Sequence, residues 1–262
     1  MGKITEALKK AAEERMSRLE KLDSKDEVKY QFIAKKTIES KIDPRIVAFY
    51  ESNCPVAEQF RSLRTNLLAL NPAKPVKVIT LTSSINGEGK TISSINLAVS
   101  MAHDFDKKSI LLVDADLRRS KVHKYLGIKP EVGLSDLLTN GTNVDDALVN
   151  IGINNLTILP AGKVPSNPAE LLGSNKFRNL LKLLKEKYDY IILDSPPIIP
   201  VTDSGVIGAQ ADGVVMVIQA GRTQKGIIKH AEGLLKQAQA KLLGYILTNV
   251  QYHIPAYIYR YL

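Results

Sequence analysis

The chain has 262 residues, 44% of them hydrophobic and 24% charged, a composition that suits one large α/β domain with extensions and excludes a disordered or fibrous protein. A single cysteine, Cys54, and four scattered histidines disfavour disulfide scaffolds and metal frameworks. The net charge of +9 asks for an anionic partner, but it is unevenly placed. Residues 1–45 mix twelve Lys/Arg with nine Asp/Glu, whereas from Arg222 onward six Lys/Arg face only Glu232.

In chain order, the opening "MGKITEALKK" is charged with no apolar signal region behind it. No later run has the length to cross a bilayer, which predicts a cytoplasmic protein, with a peripheral place at the inner face of the cell membrane as the alternative. Between residues 3 and 22, Ile4, Leu8, Ala11, Ala12, Met16, Leu19 and Leu22 recur at helical spacing, predicting an amphipathic helix. Residues 23–45 are polar and unperiodic and read as a linker, so 1–45 is expected to be an N-terminal extension. After "IVAFY" comes a strong helix over about Val56–Leu70.

Strand-length apolar runs then alternate with helical stretches: "VKVITLTS", "SILLVDAD", "LTILPAG", "YDYIILDSP", "GVVMVIQA" and "LLGYILTNV", with helices expected near 90–103, 168–187, 202–210 and 224–240. Near-continuous apolar strands separated by helices mean a mostly parallel sheet covered on both faces, a doubly wound α/β fold over about residues 46–250. Right-handed crossovers place ligands at the carboxyl rim of such a sheet.

Three segments converge on that rim. The first strand runs into "SSINGEGKT", a P-loop with Ser84 in place of the usual first glycine. Nucleotide phosphates are expected along Ser84, Asn86, Gly87, Glu88, Gly89, Lys90, Thr91 and Ile92, with Lys90 neutralising charge and the Thr91 hydroxyl ligating Mg²⁺. A second strand ends in Asp114 and Asp116, two carboxylates that repel unless a cation answers them. A third ends in Asp194, as a Walker B acid does. The chain then closes on "YHIPAYIYRYL", which holds Tyr252, Tyr257, Tyr259 and Tyr261 out of ten tyrosines in all. Their rings either pack on the body or offer their hydroxyls as substrates.

The deviant P-loop, "ILLVDADLR" and "IILDSPP" together resemble the bacterial tyrosine kinases of polysaccharide export, over about residues 46–262. The resemblance implies ATP and Mg²⁺ as cofactors and protein tyrosine as acceptor. It also implies a ring-like homo-oligomer in which residues 251–262 of one subunit are phosphorylated by the next. "AEQFRSLR" matches the E-x-x-R-x-x-R motif associated with those rings through Glu58, Arg61 and Arg64. By the same carry-over, Thr91, Asp116 and Asp194 hold the metal and Asn249 contacts adenine, with Arg222 on that side. Asp114 is the first choice to orient or deprotonate the tyrosine hydroxyl, with Asp116 as the alternative, and phosphate added to the tail is expected to expel it from the acidic metal site. Relatives suggest a membrane-bound activator or polysaccharide co-polymerase as partner, and no nucleic acid is expected. The alternative reading is a partitioning or septum-positioning ATPase switch that binds DNA or membrane through its basic end. Asn86 replaces a proline common in the kinase loop, and Ile85 replaces the early lysine of the partitioning relatives.

Overall fold

The computed structural model describes residues 42–50, 54–70, 76–103 and 107–250. The expected N-terminal amphipathic helix and the tyrosine cluster lie outside the described residues.

Seven strands form one sheet in the order β3-β4-β2-β5-β1-β6-β7. They are β1 (Val78–Ser83), β2 (Ile110–Asp114), β3 (Val149–Asn150), β4 (Leu156–Leu159), β5 (Tyr190–Asp194), β6 (Gly213–Gln219) and β7 (Leu242–Thr248). Every pairing is parallel except β3 with β4. The six expected strands are present, and the two-residue β3 is an addition that its apolar content does not announce.

Side chains on successive strand residues point to opposite faces, and the core records that period of two. Ile79 and Leu81 pack on one face with Ile110, Leu112 and Ile192, under the helix α3 (Lys90–Ala102), which supplies Ile95, Leu97, Val99 and Met101. Val78, Leu111, Val113, Ile191 and Leu193 pack on the other, under Phe177, Leu180, Leu181 and Leu184 of α8 (Asn175–Lys187). Because both faces are covered, even the hydroxyls of Thr80 and Thr82 on β1 are fully buried.

The remaining helices are α1 (Val47–Tyr50), α2 (Pro55–Ala69), α4 (Val122–Tyr125), α5 (Leu134–Asn140), α6 (Val144–Ala147), α7 (Pro168–Gly173), α9 (Asp203–Gly208) and α10 (Lys225–Gln237). The stretch expected as one helix over 168–187 is two: Ser174 leaves helical geometry, and its hydroxyl accepts from the Phe177 N–H to cap α8. The apolar run at "IVAFY" builds the short α1, with Ile46 fully buried. Ile42, Asp43 and Arg45, on the linker side of the expected boundary, also belong to the folded body. Ile42 is buried, and the Asp43 N–H donates to the Tyr125 carbonyl at 2.7 Å.

Helix α2 starts where its sequence says it should. Pro55 sits in the first turn, and the Cys54 sulfur accepts from the Ala57 N–H at 3.3 Å. Glu58 and Arg61 pair at the surface, Nε to carboxylate 2.7 Å. Arg64 instead turns to the body, where its guanidinium donates to the Ser100 carbonyl at 2.7 Å and so ties α2 to the end of α3.

Candidate active site

The strand register brings the acids together. Asp114 and Asp194 are direct partners at the carboxyl ends of β2 and β5, and β1 beside them leads into the P-loop. Gly87 and Gly89 hold φ of +84° and +90°, a region that L side chains rarely enter, which turns loop N–H groups inward ahead of α3. A Cβ on Gly87 would also come to 3.0 Å from the Arg222 guanidinium.

Lys90 lies within the acidic group, its Nζ 3.3 Å from Asp116 and 3.5 Å from Asp194. Burial alone would lower the Lys90 ammonium, but the charges of Asp194, Asp116 and Asp114 outweigh it and raise its pKa. Asp114 is fully buried. One of its oxygens accepts from the Val122 N–H at 3.1 Å and the other from the Asp116 N–H at 3.3 Å. Burial, followed by the charge of Asp194, pushes the Asp114 carboxyl up to about 8. Asp194 is raised too, first by burial, against the pull of Lys90 and of hydrogen bonds from Thr91 and Ser94. Ser94 was not singled out from sequence, yet it lies one turn after Lys90, and its hydroxyl reaches Asp194 at 3.1 Å.

These groups open into a cleft of about 430 Å³ lined by the loop from Asn86 to Ile92, by Ser83, Asp116 and Pro197, and by Arg45, Arg119, Lys121 and Tyr125. Asp116 therefore faces the cleft, whereas Asp114 supports it from below. Ser84, Asp194, Arg222 and Asn249 do not line it. The Ser84 hydroxyl contacts the Met216 sulfur at 3.6 Å inside the fold, so the loop offers its backbone and not this side chain. Arg222 braces the loop from outside, donating to the Asn86 carbonyl at 3.1 Å. Asn249 follows β7 at φ +53°.

The Glu88 side chain does not point at a ligand either. It is 1% exposed and accepts from the Ile85 N–H at 2.8 Å, the Thr223 hydroxyl at 2.5 Å and the Gln219 N–H at 3.3 Å. A buried carboxylate with these donors fixes the loop to the turn after β6. Thr248, at the end of β7, closes the same corner by donating to the Glu88 carbonyl at 2.7 Å.

The donor set suits a magnesium nucleotide. Asp194 Oδ2 is buried without a hydrogen-bond partner, an oxygen that a water of a hard cation would satisfy, and the Thr91 hydroxyl is beside it. Among the described residues no three His, Cys, Asp or Glu are arranged to hold a metal alone, which fits an ion that takes most ligands from phosphates and water.

Residues 76–242 match the AAA domain family. A putative tyrosine-protein kinase, CapB, of Staphylococcus aureus is 36% identical over 195 residues, 74% of this chain and 85% of the relative. The tyrosine-protein kinase YwqD of Bacillus subtilis is 35% identical over 210 residues, 80% of this chain and 88% of that one. The crystal structure of the chimerical protein CapA2B2 superposes with a TM-score of 0.76 at 31% identity, covering 80% of this chain and 93% of its own. This chain belongs to the bacterial tyrosine kinases. The cell division ATPase MinD of Pyrococcus furiosus shares the fold more distantly, with a TM-score of 0.55 at 27% identity, so the kinase reading holds over the ATPase switch. As in the other P-loop proteins, the kinase must run phosphoryl transfer from the loop and its acidic rim.

Proposed function

We propose that this kinase transfers the γ-phosphoryl group of ATP to Tyr252, Tyr257, Tyr259 and Tyr261 in the tails of its own copies. Position carries the reading. Strand β7 runs parallel to β6 and ends with Thr248 hydrogen-bonded to the P-loop, so the chain beyond residue 250 sets out from the edge of the cleft. Twelve residues extend at most about 40 Å, enough for the chain's own site or a neighbour's.

The loop N–H groups and the start of α3 hold the β-phosphate, and Lys90 is the cation offered to the β- and γ-oxygens. Thr91, Asp116 and Asp194 would hold magnesium, the last through water; when bound, the ion draws charge off the transferring phosphoryl group. The tyrosine Oη–P bond forms as the bond from Pγ to the ADP oxygen breaks, and the phenol proton passes to a carboxylate. The proposal gives that proton to Asp116 rather than to the expected Asp114, because Asp116 lines the cleft while Asp114 is fully buried. Asp114 holds the Asp116 backbone and so acts by positioning.

Glu58 and Arg61 present the outward half of the ring motif, and Arg64 fixes the helix that carries them. A ring-like homo-oligomer, a membrane-bound activating partner and control of polysaccharide synthesis complete the proposal, supported by the company of the capsule-type relatives. The test is incubation with Mg·ATP followed by phosphosite mapping. Phosphate is expected on Tyr252 to Tyr261 and absent in Lys90→Met; label confined to serine, or no label, overturns the assignment.

A further inference from the structure

We propose that the mouth of the cleft is a phosphotyrosine subsite: Arg45, Arg119 and Lys121 hold the phosphate of a tail tyrosine after transfer, so that one tail is modified repeatedly before release. The proposal rests on the tail being the acceptor and adds what becomes of the product.

The charges at the floor of the cleft are paired, whereas cations are in excess at its mouth. At the floor, Lys90 answers Asp116 and Asp194. At the mouth, three cations line the same cavity together with the ring of Tyr125. Arg45 is held there by the fold. Asn96, fully buried on α3, donates to the Arg45 carbonyl at 3.0 Å and accepts from the Ala48 N–H at 3.0 Å, pinning the segment across the P-loop helix. The Arg45 guanidinium forks onto Asp43 at 2.9 and 2.8 Å and stands 5.0 Å from the centre of the Tyr125 ring. Neighbouring Arg118 is committed elsewhere, to buried Asp203 at 2.8 and 3.0 Å. Among the described residues the Arg119 and Lys121 side chains have no ion-pair partner.

Three cations less Asp43 leave two positive charges at the mouth, a match for the roughly −1.5 to −2 of a phosphotyrosine. The phosphates of the nucleotide have the loop, Lys90 and α3 as partners of their own. The unmodified acceptor, "QYHIPAYIYRYL", has no acidic side chain and carries Arg260. The phosphorylated tail supplies an anion to this place. A phosphate leaving the P-loop floor thus meets a basic rim, which amends the expectation of simple expulsion. Tyr257, Tyr259 and Tyr261 follow one another at two-residue steps, so a phosphate held at the rim keeps the next hydroxyl close.

The test uses the full chain with Mg·ADP and a fluorescent peptide of residues 251–262, unmodified or phosphorylated on Tyr257. The phosphopeptide is expected to bind at least about tenfold tighter, as charge-assisted contacts to one phosphate allow. In R45A/K121A that preference should fall below about twofold, in protein that circular dichroism shows to be folded and that still binds ATP. Should the double variant fold poorly, K121A alone, on an exposed side chain, should show about a threefold loss. Equal binding of the two peptides, or a preference that survives in a folded variant, overturns the proposal. Intact mass during autophosphorylation supplies a second readout. Wild-type chains should gain two or three phosphates while unmodified chains remain, and R45A/K121A should pass through a singly modified pool; identical courses overturn the inference. A complete absence of phosphotyrosine with Mg·ATP would instead remove the acceptor assignment, a result the peptide measurement cannot produce.

Discussion

The two edges of the central sheet hold the same residue type in opposite physical states. At the amino edge, Asp212 accepts from the Val78 N–H at 2.8 Å and the Lys77 N–H at 3.0 Å, and pairs with Lys185 at 2.9 Å. Asp189 accepts both the N–H and the hydroxyl of Ser109, each at 2.9 Å. Both carboxyls lie below their ordinary range. For Asp189 the backbone hydrogen bond leads; for Asp212 hydrogen bonds and Lys185 overcome an opposing burial effect. At the carboxyl edge, Asp114 and Asp194 are raised and Asp194 keeps an unpartnered oxygen. Acids at one edge tie strand starts down, while those at the other are held under mutual repulsion that a ligand relieves. Stability and activity should therefore respond oppositely to substitutions at the two edges.

The largest effect should come from Lys90→Met, which removes the cation from the acidic edge. Autophosphorylation by radiolabel transfer should drop by roughly 10³-fold. Residual activity within tenfold of wild type would break the comparison at its centre.

Next is Asp194→Asn. It should cost about 10²-fold in activity, yet the magnesium-free, nucleotide-free protein should melt no lower than wild type because a buried like charge has gone. A large drop in melting temperature would show that this acid stabilises the fold as those at the other edge do.

The pH dependence sharpens the contrast, because the signs oppose. Asp114 has a folded pKa raised to about 8, so its contribution is full below its unfolded value near 4 and is lost as pH rises through about 8. In EDTA the apo protein should lose melting temperature over that interval, and Asp114→Asn should flatten the loss. Asp189 and Asp212 have depressed folded values, so their contribution is present above about 4 and disappears as pH falls below it. Chemical denaturation across the pH range separates the two slopes.

The smallest effect is Asp212→Ala, which should cost about 1–2 kcal/mol of stability at neutral pH through its lost hydrogen bonds. Phosphorylation per folded molecule should stay unchanged. An altered rate with unaltered stability would mean that the amino edge reaches the chemistry after all.

Much of the site was legible because its signals are local. The glycine turn before α3, the apolar strands ending in Asp114 and Asp194, and the lysine followed by threonine all sit within short windows. Ser94 was within reach of the same reasoning, one helical turn from Lys90, but a serine in a helix carries no signal of its own. Glu88 was open to misreading, since a carboxylate inside a phosphate loop looks like a ligand until its three donors are seen. Arg45 gave no sign at all. It precedes Lys90 by 45 residues, and long-range contacts, the burial of Ile46 and the amide of Asn96 among them, bring its segment over the P-loop helix.

By itself the sequence determined the layered sheet, its parallel sense and the rim on which nucleotide chemistry takes place. Continuous apolar strands cannot face water, and glycines followed by a helix start cannot avoid making an anion site. Tertiary structure alone decided which of two neighbouring aspartates faces the cleft, which way the Ser84 and Glu88 side chains turn, and which cations gather at the mouth. Those outcomes depend on strand register and on contacts between distant segments, where a shift of one residue exchanges the buried face for the open one.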